Sequence, residues 1–466
     1  RFSHYDFWSD SVFKPILCDS HADVLVYGKG EKPIVDIAMH ALNYGKDSLL
    51  NDSVYRNLLM NINQIAYMDD DYTYLEEDSY IMLNSFEKVK SNKKLYADNF
   101  KVIETESNKY ETKVLIEPVE DKFLIVNKNN YPMTTEELDA VYDLPYTRLP
   151  HPKYAKKGEI PAYKMIHNSI NIHRGCFGGC SFCTISAHQG KFVVSRSKES
   201  IMREVEKVTA MPDFGGTISD LGGPSANMYR MQGENLEKCR KCSRHSCIVP
   251  TICNNLVFDH VPALEIYKEA MNHKKVKNVF IGSGIRYDMF YPADVNKAKK
   301  YKVFEYAEQV ICKHTGGRLK VAPEHCSAHV LKLMRKPSFD NFYKFKSFFD
   351  RICKKYNANY QLIPYFISSH PGCDVEDMAQ LAIETKNINY KPEQVQSFTP
   401  TPMTLSTTMF YTGINPFTGE RIFSAENKAD KDIQRLFLFW YLPENKHKII
   451  SILRKTGNES LIKKLY

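Results

Sequence analysis

Long apolar runs are missing from this chain of 466 residues. Its strongest, LFLFWYL at Leu436 to Leu442, falls far short of the roughly 20 residues a membrane helix needs, so no membrane association is expected. A block of like charge is missing too. The formal charge of +8 (63 Lys and Arg against 55 Asp and Glu) is spread along the chain, unlike the basic tail of a nucleic-acid binder. That balance permits an anionic substrate without requiring one. Neither an initiator Met nor a signal-peptide pattern precedes the opening RFSHYDFWSD, and the expectation is a fragment lacking upstream sequence. The scattered spacing of a disulfide framework is absent as well: of 12 cysteines, seven fall in two tight groups, 176 to 183 and 239 to 253. Grouping of this kind suits metal sites in a reducing, cytoplasmic setting.

What is present describes a globular α/β protein. A hydrophobic fraction of 43% and a charged fraction of 25% are ordinary for a folded chain, and the length predicts two or three domains. ADVLVYGKGEKPIVDIAMHAL, residues 22 to 42, reads as a buried strand, a turn at Gly28 and Gly30, and an amphipathic helix. It is one β-α unit of an open sheet, and nothing in it requires a nucleotide or cobalamin. Residues 1 to 68 are therefore read as the remnant of a Rossmann-like domain. Residues 69 to 163 are read as a connecting region with strands at KVLIEPV and KFLIVNK and a Thr-Glu helix start in YPMTTEELDAVYD.

From about Lys164, strand-like and helical patterns alternate. MIHNSINIH, GGTISDLGG, KNVFIGSG, RLKVAPEH, YQLIPYFISSH and EQVQSFTPTP are the strand candidates, and amphipathic stretches such as NFYKFKSFFDRICKKY separate most of them. Six β-α repeats predict a parallel barrel or partial barrel over 164 to 419, with a Cys-rich insertion at 235 to 258 and a helical segment at 420 to 466. Chemistry in such folds sits at the C-terminal ends of the strands.

The stretch INIHRGCFGGCSFCTISAHQG places Cys176, Cys180 and Cys183 directly after the first of these strands. An iron-sulfur cubane takes one thiolate per iron, so three ligands leave one iron open to a substrate. Structural zinc is the competing reading; it prefers four closed ligands in CxxC pairs, and His173 is the neighbour that would complete it. The second group, CRKCSRHSCIVPTIC, offers Cys239, Cys242, Cys247 and Cys253, four thiols suited to a closed site. An auxiliary [4Fe-4S] cluster or a zinc clamp both fit it. Cys18, Cys312, Cys326, Cys353 and Cys373 stand singly and are assigned no role.

The spacing C-x3-C-x-aromatic-C resembles the signature of the radical S-adenosylmethionine (SAM) superfamily. The resemblance implies that Cys176, Cys180 and Cys183 hold a [4Fe-4S] cluster whose open iron binds SAM, with Phe182 beside the adenine. LGGPSAN at Leu221 to Asn227 looks like the superfamily's Gly-Gly-Glu segment, implying backbone contact from Gly222 and Gly223 to the methionine amino group. Pro224 replaces the Glu and removes the acidic contact. APEHCSAHV, FISSHPGCDVEDM and FTPTPMT resemble the last three strand ends of radical SAM methylthiotransferases, with Glu324, His325, Ser369 and His370 as polar candidates. Over nearly the whole chain, segments such as HYDFWSD, ADVLVYGKGE, ELDAVYDLPYTRLPHP and SDLGGPSANMYRM are similar to the YgiQ family of radical SAM proteins. That likeness implies a partial (β/α)6 barrel of the TIM type after a truncated Rossmann-like, cobalamin-binding-like domain. It further implies reductive cleavage of SAM to a 5'-deoxyadenosyl radical acting on an unassigned substrate, an electron donor such as flavodoxin or ferredoxin, and oxygen sensitivity. Two alternatives stay open: methylthiolation of tRNA or protein, and a non-catalytic zinc or iron-sulfur module that binds nucleic acid.

Overall fold

A computed structural model describes residues 2–44, 58–292, 294–393 and 395–466. Its first sheet contains β1 (Val24–Val26), β2 (Ile65–Asp69), β3 (Tyr80–Met82), β4 (Val114–Val119) and β5 (Lys122–Val126), in the order β1-β2-β5-β4-β3. Strands β4 and β5 are near-continuous apolar runs because both faces of the sheet are covered. Alternate residues serve the two faces: Ile65, Tyr67, Ile116 and Ile125 pack on one side, Ala66, Leu115 and Leu124 on the other. The β-α unit is present, with helix α1 (Glu31–Tyr44) following β1.

This sheet differs from the expected Rossmann-like arrangement. Only β3 with β4 is parallel, whereas β1-β2, β2-β5 and β5-β4 are antiparallel. The reason is local: Glu120 and Asp121 alone separate β4 from β5, and so short a link cannot carry a crossover to a parallel neighbour. The sheet also runs through the boundary drawn at residue 68. Helix α2 (Thr135–Asp143) follows, and its start is the capping box read from the sequence: Thr134 Oγ1 accepts from the Glu137 amide while Glu137 reaches back to the Thr134 amide.

All six strand candidates beyond residue 164 contain strand. β6 (Ser169–Asn171) pairs with β8 (Asp220–Gly222), and β7 (Thr217–Ile218) pairs with β9 (Asn278–Val279). β10 (Arg318–Glu324), β11 (Gln361–Ser368) and β12 (Gln396–Ser397) follow as a second group. Every one of these pairings is parallel. The first group is tied to the residues just before β10 where the Ile281 amide donates to His314 O at 2.8 Å and the His314 ring donates to Val279 O at 2.7 Å.

Parallel neighbours require crossovers, and helices supply them: α3 (Lys198–Thr209), α4 (Val261–Met271), α5 (Val303–Lys313), α6 (Asp340–Lys355) and α7 (Val375–Asn387). Helix α6 shows why they dock. Phe342, Phe345, Phe349 and Ile352 recur at three- and four-residue spacing, are buried together, and leave the lysines outside. The tail is helical: α8 (Lys428–Leu438), α9 (Pro443–Lys455) and α10 (Glu459–Leu465) bury Phe437, Leu438, Ile449 and Leu453. Among the described residues, no helix is long and apolar enough to cross a membrane.

Candidate metal and cofactor site

Beyond the C-terminal end of β6 the chain enters the three-cysteine loop. Its ends are tied by Cys176 N to Gly190 O at 3.1 Å and by Gly175 N to the Gln189 side chain at 3.0 Å. Inside, Cys183 N donates to Cys180 O at 3.2 Å, and Ser181 is held from two sides, its amide on Met334 O and its carbonyl on Ser406 N. The loop is thereby anchored to the segments that follow β10 and β12.

The three thiols are free and partly buried. Burial pushes the Cys176 thiol up to about 11 and raises that of Cys183, while the Arg286 guanidinium pulls Cys176 back toward thiolate. Arg286 donates to Cys180 Sγ at 3.3 Å and grips Asp288 through two bonds of 2.9 and 2.7 Å. Asn227 sets its backbone: the Asn227 side chain accepts from Arg286 N at 2.8 Å and donates to Arg286 O at 3.0 Å. Asn227 ends the LGGPSAN segment, so the turn after β8 positions a cation on the loop after β6. Sequence reasoning missed Arg286, because no spacing rule links it to a cysteine 106 positions away.

Phe182 sits edge-to-face with His370, ring centroids 6.1 Å apart. The His370 Nδ1–H donates to Pro371 O at 2.8 Å, so Nε2 accepts from Ser406 Oγ at 2.7 Å, and Ser181 in turn donates to Ser406 at 2.8 Å. Burial holds His370 down to about 3, which keeps this chain neutral. His325 is likewise neutral; it accepts from Ser327 N and meets the Cys373 sulfur at 3.5 Å. Glu324 pairs with Lys336 at 3.6 Å. The Ser369 hydroxyl is buried without a partner among the described residues.

Gly222 and Gly223 are tightly enclosed. A Cβ on Gly222 would run into the Ser283 hydroxyl and stand 2.8 Å from Asp220 Oδ1, and one on Gly223 would meet the His173 ring at 2.5 Å. His173 is buried with neither ring nitrogen bonded among the described residues, and burial holds it down to about 3.

The second cysteine group leans on the first loop. Cys247 N and Ser246 Oγ both donate to Phe177 O, at 3.0 and 3.2 Å. A Cβ on Gly179 would overlap His245 O and stand 3.0 Å from its carbonyl carbon. Within the group, Cys242 N donates to Cys239 O, Cys253 N to Cys247 O, and the Asn255 amide to Cys239 Sγ at 3.3 Å. Lys191, one residue beyond the first loop, is buried among these thiols and donates to Arg244 O at 2.8 Å and Cys242 O at 3.4 Å. Burial pushes the Cys247 thiol up to about 11, opposed first by Lys191. Lys191 too escaped sequence reasoning.

Among the described residues no three His, Cys, Asp or Glu are gathered around a point that would suit a single ion. A cubane takes its thiolates one per iron and spread around its corners, so three free, mutually interacting thiols, two of them beside a buried guanidinium, are a donor set compatible with an anionic cluster. A cavity of about 450 Å³ opens between the first sheet and this loop, with Cys180 and Cys183 in its wall.

Comparison with known proteins adds the following. A family profile described as "Radical SAM N-terminal" matches residues 1–169, and one described as "Domain of unknown function (DUF3362)" matches residues 393–464. The chain is 52% identical to a UPF0313 protein of Bacteroides thetaiotaomicron, over 100% of this chain and 75% of that one. Relatives of the same name from Porphyromonas gingivalis and Methanocella arvoryzae are 48% and 41% identical, over 100% and 99% of this chain and 72% and 75% of theirs. Two solved structures of the radical SAM methyltransferase TsrM from Kitasatospora setae share 14% and 13% identity over 48% and 51% of this chain (34% and 38% of theirs), with TM-scores of 0.29 and 0.33. That overlap is too slight to bear on the argument.

Proposed function

Because this chain belongs to the UPF0313 (YgiQ) family of the radical SAM superfamily, we propose that it is an enzyme that cleaves SAM reductively at a [4Fe-4S] cluster held by Cys176, Cys180 and Cys183. The observation that carries this reading is the buried Arg286 donating to Cys180 Sγ in the loop that follows a parallel strand. Asp288 fixes the guanidinium in place, and the guanidinium's charge-assisted hydrogen bond to the sulfur favours the thiolate form that a cluster needs. The two parallel strand groups are then the two arcs of a partial (β/α)6 barrel spanning about 164 to 419.

Held by Cys176, Cys180 and Cys183, such a cluster would supply the single electron needed to cleave the bond between sulfur and C5' of SAM, giving methionine and a 5'-deoxyadenosyl radical that would take a hydrogen atom from the substrate. A flavodoxin or ferredoxin supplies the electron. The chain's own contribution is placement. Phe182, braced on the neutral Ser181-Ser406-His370 relay, flanks the adenine, and the backbone at Gly222 and Gly223 receives the methionine end. The second cysteine group holds a further metal site, a second [4Fe-4S] cluster or zinc. Free thiols throughout suit a reducing cytoplasm.

Anaerobic reconstitution with iron and sulfide, followed by dithionite and SAM, tests the reading. The expected product is 5'-deoxyadenosine, absent when Cys176, Cys180 and Cys183 are changed together to Ala. An iron-replete wild type that makes none refutes the assignment.

A further inference from the structure

The cavity beside the cysteine loop carries more positive charge than its own walls balance. Five cationic side chains line it against two carboxylates. Both carboxylates are engaged: Glu104 is held by Arg335 at 2.6 and 3.0 Å, and Glu106 binds Lys109 and the Lys113 amide. Lys32 reaches Glu137 at 2.9 Å. Lys29 has no carboxylate partner among the described residues, since the nearby Glu31 is paired with Arg174.

Lys29 also lies close to the cysteine loop. It occupies the turn between β1 and α1, which the Gln64 amide fixes by donating to Tyr27 O at 2.6 Å and Lys29 O at 2.5 Å. Gly28, at φ +66°, abuts the cysteine loop: a Cβ there would stand 3.3 Å from His188 O. Burial, and after it the nearby Arg174 guanidinium, hold the Lys29 ammonium down to about 8, against the opposing pull of Glu31. Two further polar atoms on the cavity wall, Asn130 Nδ2 and His245 Nδ1, are buried with no hydrogen-bond partner among the described residues. Unpartnered buried polar atoms are uncommon, and each calls for a group that satisfies it. An apolar shelf adjoins them, Tyr110 stacked on Tyr131 with ring centroids 5.2 Å apart.

We propose that this cavity is the substrate site and that the substrate is a small anionic metabolite whose carboxylate or phosphate rests on Lys29. The proposal builds on the radical SAM reading above. In that reaction a substrate C–H bond breaks homolytically, its hydrogen atom ends on C5' of 5'-deoxyadenosine, and the substrate keeps the unpaired electron. Hydrogen taken from the substrate is therefore readable in the coproduct.

The test uses the reconstituted full chain with dithionite, unlabelled SAM, and extract from cells grown on deuterated medium. The extract is separated into a macromolecular fraction and low-mass fractions retained or not retained by an anion exchanger. The retained low-mass fraction is expected to place deuterium in 5'-deoxyadenosine, read by mass spectrometry. Lys29→Gln is expected to lower the deuterated share of the product about tenfold or more, the worth of one charge-assisted bond, and Lys29→Arg to restore it. Deuterium coming from the unretained or macromolecular fraction, or an unchanged share in Lys29→Gln, overturns the proposal. So does an equal weakening of SAM binding in that variant by equilibrium dialysis, because the acid on Lys29 is then that of SAM. A wild type that forms no 5'-deoxyadenosine at all refutes the underlying reading instead, and this proposal with it.

Discussion

Replacing Arg286 by Met takes the positive member from a pair sealed inside the protein. The Arg286 and Asp288 side chains are 11% and 5% exposed and share two hydrogen bonds of 2.9 and 2.7 Å. Removing one partner of a buried ion pair leaves the other charge without water or counter-ion and costs about 3–5 kcal/mol. Lys336 also acts on Asp288 and helps keep its carboxyl low, so the lower end, about 3 kcal/mol, is expected. Asp288→Asn removes the stranded charge. The double variant Arg286→Met with Asp288→Asn should therefore recover about 2 kcal/mol of the loss, a coupling energy in the range of contacting charged residues. The measurement is equilibrium urea unfolding of the four apo proteins under reducing, anaerobic conditions. Cys180→Ala serves as a control, since it removes the sulfur contact while leaving the ion pair whole. A cost below about 1 kcal/mol for Arg286→Met, or single-variant costs that simply add, refutes the argument that Arg286 and Asp288 act as one buried unit.

Glu117 should make stability fall with rising pH. Burial raises its carboxyl from 4.5 to about 7, so between those values the native state holds the proton more tightly than the unfolded chain. The stabilisation is fully present below pH 4.5 and lost as pH rises through 7. Glu117→Gln is expected to stabilise by up to about 3 kcal/mol at pH 8 and by nothing at pH 4; equal effects at both, in urea titrations, contradict this. Lys191→Met should release metal from the second cysteine group to EDTA about tenfold faster, with Lys191→Arg intermediate, and unchanged release rates by elemental analysis count against its role. Gly179→Ala puts a methyl group into the His245 carbonyl at a φ of +64°, and a loss of about 1–3 kcal/mol in urea unfolding is expected. No loss means that the two cysteine segments are not pressed together.

Much of the C-terminal two thirds could be read along the chain because the information there is local. A parallel strand buried on both faces announces itself as a short apolar run, and a helix such as α6 announces itself by phenylalanines three and four residues apart. The placement of Cys176, Cys180 and Cys183 on a loop after β6 follows from the same local cues. The capping box at Thr134 and Glu137 is contained in four residues.

Pairing is another matter. The mixed N-terminal sheet reads as Rossmann-like along the chain because a strand, a glycine turn and a helix look alike whichever neighbours the strand takes, although the two-residue link between β4 and β5 is visible there. What surrounds the cysteines was invisible for a stronger reason. Arg286 reaches Cys180 from beyond β9, Lys191 enters a cysteine group some fifty residues further on, and Phe177 O is shared with Ser246 and Cys247. The charge of Lys29 acquires meaning only because Glu104 and Glu106, far along the chain, are each already bound elsewhere. A side chain's type is written at its own position. Its electrostatic balance is a sum over neighbours that folding brings from anywhere in the chain, and that sum exists only in the tertiary structure.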